Sequence, residues 1–317
     1  MKPAISRPIL CVDLTPAVQE IRVFASVELG GVNRGVSISH SPAGKGTNTA
    51  HVVKTIGPEP LLTGFVGGAT GTFHRRGVRA LGIRTAFITT TARTRVCVTL
   101  IERESHRVTE LIEEAALPTP QEWREFHRAF TRLISQASVL TLSGALMPGA
   151  PATVYRDLAA AAAGKHVPAI VDSQRAPLLE SLTARPFLAK LNVRELENTL
   201  GTTMKTPHAI VTGARKLLAR GAQNVLVTQG ECGAWLMDAE AAWHFKTPRV
   251  TVCNSIGSGD AVTAGIASGL SRKQSLLEAV RLGVACGAAN VLTPTPGTVD
   301  LADVKRLLAK VTCRRMP

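Results

Sequence analysis

From Ser138 onward the chain alternates short apolar runs with helical stretches, and that order leaves few folds open. Ser138-Val-Leu-Thr-Leu-Ser ends at Gly144, and the alanine-rich run Val154 to Ala163 reads as a helix. Pro168-Ala-Ile-Val-Asp172 and Leu188-Ala-Lys-Leu-Asn192 read as strands, the second followed by a helix from about Val193 to Leu200. A helix from Ile210 to Arg220 precedes the strand Asn224-Val-Leu-Val-Thr-Gln-Gly230, which runs into a glycine loop. Strands separated by helices predict βαβ units, and therefore an α/β fold with a mostly parallel sheet covered on both faces. Ligands of such sheets sit at the carboxyl ends of the strands. Ser143, Asp172, Asn192, Thr228 and Gly230 become site candidates by position alone.

Two segments break the alternation. Val18 to Val36, with a Gly30-Gly31 turn, and Thr85 to Val108, rich in Thr, Val and Ile, read as antiparallel β structure inserted in the α/β body. A small sheet of that kind serves as a lid over a site or as a dimer interface. No repeat or low-complexity linker divides the chain, so a single domain over residues 1–317 with a lid at about 18–36 and 85–108 is expected. Hydrophobic residues make up 45% of the chain, enough for a packed core. No apolar run is long enough to span a bilayer. The first residues read as a strand reaching Asp13 rather than as a signal peptide. Six cysteines are scattered without a CxxC pair, mostly in apolar segments. They predict reduced, buried thiols, a cytoplasmic protein and no zinc site. The net charge of +14 is spread along the chain, with modest clusters at Arg75–Arg95 and Arg314-Arg315, and aromatics are only 4%. Without a basic helix or stacking aromatics, nucleic acid is not expected as a partner. The positive field suits a small anionic substrate.

The stretch Asn254-Ser-Ile-Gly-Ser-Gly-Asp-Ala-Val-Thr-Ala-Gly carries the sharpest chemistry. Gly257, Ser258 and Gly259 leave backbone N–H groups uncovered, and the small apolar run from Ala261 to Leu270 starts a helix. A helix start of this kind holds an anion on its amides and dipole. Asp260 at the junction can take a proton from an attacking hydroxyl. The same residues also fit a plain glycine turn with Asp260 as helix cap. A second glycine motif, Ser41-Pro-Ala-Gly-Lys-Gly-Thr-Asn-Thr-Ala-His, precedes a helix beginning near Thr47. Gly44 and Gly46 free the backbone, Lys45 adds a point charge and Asn48 a donor and acceptor, although the P-loop spacing is absent.

Taken together, the two motifs resemble the paired signatures of the PfkB (ribokinase-like) carbohydrate kinases. Gly64-Phe-Val-Gly-Gly, Thr94-Arg-Val, Ser143-Gly-Ala-Leu-Met-Pro-Gly, Asn192-Val-Arg-Glu and Val227-Thr-Gln-Gly-Glu-Cys-Gly-Ala agree with the family in order. The resemblance covers nearly the whole chain and is strongest to the 1-phosphofructokinase and tagatose-6-phosphate kinase branch. It implies a three-layer α/β/α body with a β lid that mediates homodimers, and transfer of the γ-phosphoryl group of ATP to a sugar hydroxyl. Asp260 falls on the catalytic base, and Gly257, Ser258 and Gly259 fall on the anion hole. Asn192 and Glu195 match the element that orders Mg²⁺ through water. Glu195 also fits an ordinary first-turn carboxylate. Thr228 and Gly230 match nucleotide contacts, and Asn290 lies near the adenine pocket or serves structure. Gly44, Lys45 and Asn48 match the sugar loop, while Ser143 and Gly144 match a turn beside the substrate. Lys45 and Arg95 match positions that grip a sugar phosphate, with a solvated lid residue as the other reading of Arg95. Some members also need a monovalent cation near the anion hole.

The acceptor half departs from the pattern. Gln19 stands where the branch has a sugar-binding Asp, and Ala43 replaces a glycine. Cys97 and Ile112 each replace an Asn, Ala145 replaces a Ser, and Leu191 breaks Lys-Pro-Asn. The resemblance implies a kinase of a phosphorylated ketohexose. A kinase of an unphosphorylated sugar or nucleoside, and a sugar-phosphate binding protein without catalysis, are the alternatives.

Overall fold

The computed structural model describes residues 7–316. The expectation for the N-terminus therefore lies partly outside the described residues. In chain order the strands are β1 (Ile9–Asp13), β2 (Ala17–Phe24), β3 (Ser37–Ala43), β4 (Pro60–Gly67), β5 (Arg84–Thr85), β6 (Ile88–Thr90), β7 (Arg95–Glu102) and β8 (Val108–Ile112). They continue with β9 (Val139–Ser143), β10 (Ala169–Asp172), β11 (Leu188–Asn192), β12 (Val225–Thr228), β13 (Ala234–Met237), β14 (Ala242–Lys246) and β15 (Thr312–Arg315).

Eleven of these strands form one sheet in the order β15-β14-β13-β12-β11-β10-β9-β1-β4-β5, with β6 also beside β4. The pairs from β12 to β5 are parallel, whereas β13, β14 and β15 add an antiparallel edge. Every residue of β1 is buried. Its alternation divides the core, with Ile9 and Cys11 packing on one face of the sheet and Leu10 and Val12 on the other. A strand covered on both faces reads as a continuous apolar run, as Ile-Leu-Cys-Val does.

The helices follow the expected positions closely. Val154–Ala163 and Val193–Leu200 form as anticipated, and the expected Ile210 helix begins earlier, at Pro207, where Thr206 caps it through the Ala209 amide. The helices Ser258–Ser271 and Leu276–Asn290 pack backbone to backbone, because a Cβ on Gly265 would lie 2.6 Å from the Gly283 Cα.

The second sheet, in the order β3-β2-β7-β8, differs from expectation in bounds and pairing. Residues 25–36 are largely loop, and the strand opposite β2 starts at Ser37. Arg84–Thr85 and Ile88–Thr90 join the main sheet beside β4, because they complete a crossover through the helix Gly68–Ala80. β2 and β7 pair in parallel rather than antiparallel. Each leaves the body shortly after a body strand, β1 for one and β6 for the other, so both run outward in the same direction. All six cysteines are free thiols. Cys11, Cys97 and Cys286 are buried, but Cys232, Cys253 and Cys313 are exposed, in loops and on the edge strand β15. Among the described residues, no helix is long and apolar enough to cross a membrane, and no cluster of His, Cys, Asp or Glu could hold a metal by itself.

Candidate active site

The carboxyl ends of β1, β9, β10 and β11 open on one side of the sheet, and both glycine motifs converge there. Asn48, in the first turn of the helix Lys45–Ile56, donates from Nδ2 to Asp260 Oδ2 at 2.8 Å. That contact joins two motifs separated by 212 positions. Asp260 is 5% exposed. Burial raises its carboxyl to about pKa 7, and Asp172 adds to the rise, while Lys45, the Asn48 amide and Lys190 oppose it. A carboxyl that titrates near neutrality suits a general base.

Gly257 caps the helix Ser258–Ser271 in the left-handed region, at φ +80°, and a Cβ there would meet the Gly297 amide nitrogen at 2.5 Å. The Ser258 amide turns inward to Ser255 O at 3.3 Å. The amides of Gly257, Gly259 and Asp260 have no acceptor among the described residues. The open donors are thus these three, with Asp260 in place of the expected Ser258. Lys190 Nζ lies directly below, 2.8 Å from where a Gly259 Cβ would be. Lys190 is 2% exposed and donates to Asp172 Oδ2 at 2.8 Å, and Thr263 Oγ1 donates to the same oxygen at 2.9 Å. Burial favours the neutral form of Asp172, but Lys190 and Lys45 outweigh it and hold the carboxyl below the usual range.

Lys45 reaches toward the same group. Its ammonium lies 3.1 Å from Glu195 Oε1 and 3.5 Å from Asp172 Oδ1. Burial alone would lower its pKa, but Asp172, Glu195 and Asp260 together raise it, so it stays charged. Asn192 and Glu195 form a reciprocal capping box at the start of the helix Val193–Leu200. The Glu195 amide donates to Asn192 Oδ1 and the Asn192 amide to Glu195 Oε2, each at 2.8 Å. These hard oxygens retain lone pairs for water. One carboxylate and one amide suit Mg²⁺, which keeps several waters and takes the rest of its shell from phosphates.

The remaining expected residues are distributed as follows. Ser143 is buried at the end of β9 with its Oγ unpartnered, and Gly144 follows at φ +108°. The Gly144 carbonyl accepts Tyr155 Oη at 3.1 Å and Ser173 Oγ at 3.0 Å. Arg95 is half-buried and donates to Thr15 O through Nε and Nη2 and to Glu113 O through Nη1, so it fastens the lid to the body. Gln19 Nε2 donates to Cys97 O at 3.1 Å and Thr99 Oγ1 at 2.8 Å, which commits its amide to the lid sheet. Thr228 ends β12, and Gly230 starts a short 3₁₀ turn with open space around it. Asn290 is fully buried, and its Nδ2 donates to Ile256 O at 2.9 Å. It ties the end of the helix Leu276–Asn290 to the glycine loop, and its Oδ1 has no hydrogen-bond partner. Lys190 was visible only as part of a motif, and Asp13 was not singled out. Both obey the rule that picked Asp172 and Asn192, since polar residues near the carboxyl ends of central strands gather at the crevice.

Comparison with known proteins adds to this geometry. Residues 8–301 match the profile of the pfkB family carbohydrate kinases. The 1-phosphofructokinase of Bacillus subtilis is 30% identical over 308 residues, covering 97% of this chain and 100% of the relative. The 1-phosphofructokinase of Escherichia coli K12 is 29% identical, covering 96% and 98%. The solved phosphofructokinase-2 of Escherichia coli, in complex with potassium, superposes with a TM-score of 0.90 at 24% identity, covering 96% of this chain and 98% of that one. This last likeness is one of fold.

Proposed function

The chain belongs to the pfkB family of carbohydrate kinases, and from that premise we propose that it transfers the γ-phosphoryl group of ATP to a hydroxyl of a phosphorylated ketohexose, with fructose 1-phosphate the first candidate. One observation carries the reading: Asp260, raised to about pKa 7, is hydrogen-bonded to Asn48 of the acceptor loop and stands beside the open amides at the start of its own helix. An acceptor hydroxyl seated against Gly44 and Asn48 gives its proton to Asp260 as its oxygen attacks. The amides of Gly257, Gly259 and Asp260 and the Lys190 ammonium oppose the charge that spreads over the transferring group. Mg²⁺, ordered through water by Asn192 and Glu195, would neutralise further phosphate charge. Thr228 and Gly230 border the nucleotide side, and Ser143 and Gly144 the acceptor side. The potassium of the Escherichia coli structure supports a monovalent cation as part of the same proposal.

A second reading has its own support. Three Arg95 donations go to backbone carbonyls and Lys45 faces carboxylates, so both cations proposed for an acceptor phosphate already have partners. That favours an unphosphorylated sugar or nucleoside.

An ADP-release assay with Mg·ATP, run in potassium and in sodium, separates these readings. The acceptors are fructose 1-phosphate, fructose 6-phosphate, tagatose 6-phosphate, free hexoses, ribose and nucleosides. Turnover of one phosphorylated ketohexose is the expected result. Turnover only of an unphosphorylated acceptor establishes the second reading, and ATP binding without turnover of any acceptor defeats both.

The lid supports a homodimer. By strand register Ile21, Val23, Ile101, Val108 and Ile112 share one of its faces with Gln19, and Val108 and Ile112 are more than half exposed. A second copy of this chain is the proposed cover for that face.

A further inference from the structure

The carboxylate that shapes the acceptor loop belongs to neither glycine motif. Asp13 ends β1, 1% exposed, directly beneath residues 44–47. The helix Lys45–Ile56 has glycine at its N-cap position and receives no cap from that residue's side chain. Asp13 supplies the missing acceptor from another element. Its Oδ2 accepts the Thr47 amide and the Thr47 hydroxyl, each at 2.8 Å. Thr47 is the third residue of the helix, whose amide a capping side chain ordinarily takes. His74 Nε2 lies 3.2 Å from the same hydroxyl and 3.3 Å from Ala43 O, and burial lowers its pKa to about 4, which leaves the ring neutral.

Close approach is built into the loop. A Cβ on Gly44 would lie 2.2 Å from Asp13 Oδ2, and one on Gly46 would lie 2.6 Å from Asp13 Cβ. Only glycine at both positions lets the loop rest on the carboxylate. The other oxygen, Oδ1, is buried with no hydrogen-bond partner. A buried, half-satisfied carboxyl is an expensive way to end a helix: burial raises its pKa, and the Thr47 hydrogen bonds and Arg95 offset the desolvation only in part. A neutral hydroxyl would cap with less loss, so helix stability alone does not account for Asp13.

What Asp13 holds is the segment that reaches the catalytic carboxylate. Thr47 precedes Asn48, whose amide contacts Asp260, and the first helical residue is Lys45, whose ammonium lies between Asp172 and Glu195. We propose, resting on the reading of Asp260 as the base, that Asp13 is a positioning residue. It caps the acceptor-loop helix from β1 and thereby fixes Asn48 against Asp260.

The test compares the native protein with Asp13→Ala, Asp13→Asn and Thr47→Val in two measurements. The first is steady-state kinetics with the acceptor found by the panel. Asp13→Ala, which removes the acceptor of both Thr47 donors, is expected to raise the acceptor KM roughly tenfold and to leave the KM for ATP within about twofold, since a misplaced loop weakens seating and not nucleotide binding. Asp13→Asn keeps an oxygen for the Thr47 amide and hydroxyl and is expected to restore the acceptor KM to within about threefold of native. Thr47→Val, which deletes only the hydroxyl donor, shifts the acceptor KM in the same direction as Asp13→Ala and by less. The second measurement is hydrogen exchange in the ligand-free protein, where amides 46–49 are expected to exchange roughly tenfold faster in Asp13→Ala while those of β1, β9 and β10 do not change. An acceptor KM within about twofold of native in Asp13→Ala, or faster exchange spread evenly over the core, overturns the proposal. If the native protein turns over no acceptor, the catalytic reading fails, and the exchange measurement decides the role of Asp13 by itself.

Discussion

Asp260→Asn should abolish turnover and, at alkaline pH, make the protein more stable. The carboxyl stands at about 7 in the fold against a usual value of 3.8, with burial the main cause. At about 1.4 kcal/mol per pKa unit, the roughly three-unit rise means that the ionised carboxylate costs the native state on the order of 4 kcal/mol. A carboxyl whose folded pKa exceeds its unfolded value binds its proton more tightly when folded. Stability is therefore greatest below pH 4, falls as pH rises from about 4 to about 7, and levels above that. An asparagine keeps the shape, offers its own oxygen to the Asn48 amide and never ionises. At about pH 8.5 the variant should gain nearly the full 4 kcal/mol, and at about pH 5 a little over a third of it. At about 2 °C per kcal/mol for a chain of this size, Tm should rise by roughly 8 °C at the higher pH and roughly 3 °C at the lower. Loss of the base should lower kcat by about 10²–10⁴-fold. Native kcat/KM should climb with pH and level above about 7, as the base loses its proton. Differential scanning fluorimetry at the two pH values and the ADP-release assay read these quantities. A variant no more stable than native at alkaline pH, or a Tm difference that does not change with pH, would refute the electrostatic argument. Normal turnover would remove Asp260 from catalysis.

Two further outcomes test the acceptor side and the lid. If Arg95 grips an acceptor phosphate with its remaining N–H groups, Arg95→Ala should raise the acceptor KM by between about tenfold and a hundredfold, the worth of a charged hydrogen bond; an unchanged KM returns Arg95 to its tie with Thr15 O and Glu113 O. The native chain should sediment as a dimer at micromolar concentration and Val108→Glu as a monomer; a native monomer rules out the lid as a cover between copies.

What the sequence disclosed and what it hid differ for physical reasons. Period and punctuation are local, so the βα order, the ends of β9, β10 and β11 and both glycine turns were legible from residues a few positions apart. Contacts between distant segments were not. The expected donor trio included Ser258, but a turn back to Ser255 O withdraws its amide and opens that of Asp260 instead. Lys45 read as a point charge for a sugar phosphate, yet Asp172 at the end of β10 and Glu195 in the first turn of the helix Val193–Leu200 lie far along the chain and close around it. The lid segments showed strand composition, which does not encode direction, so the parallel pairing of β2 with β7 had no local signal. Asp13 looked like the end of a first strand, because nothing near it in sequence announces a helix it will cap.

The helix that begins at Ser258 carries the proposed base and is also core. Ala261, Ala264, Ile266 and Ala267 are fully buried, and its glycine contact with Gly283 leaves no space between the two helices. A chain being synthesised therefore carries the first glycine loop, the lid and the Asn192–Glu195 capping box long before it has Asp260, the proposed base. A product ended early would lack the proton acceptor and would expose the apolar surface against which this helix docks, a surface that chaperones and proteases read. On the proposed reading, activity is thus a report that synthesis has passed this helix and that it has closed on the earlier part of the chain.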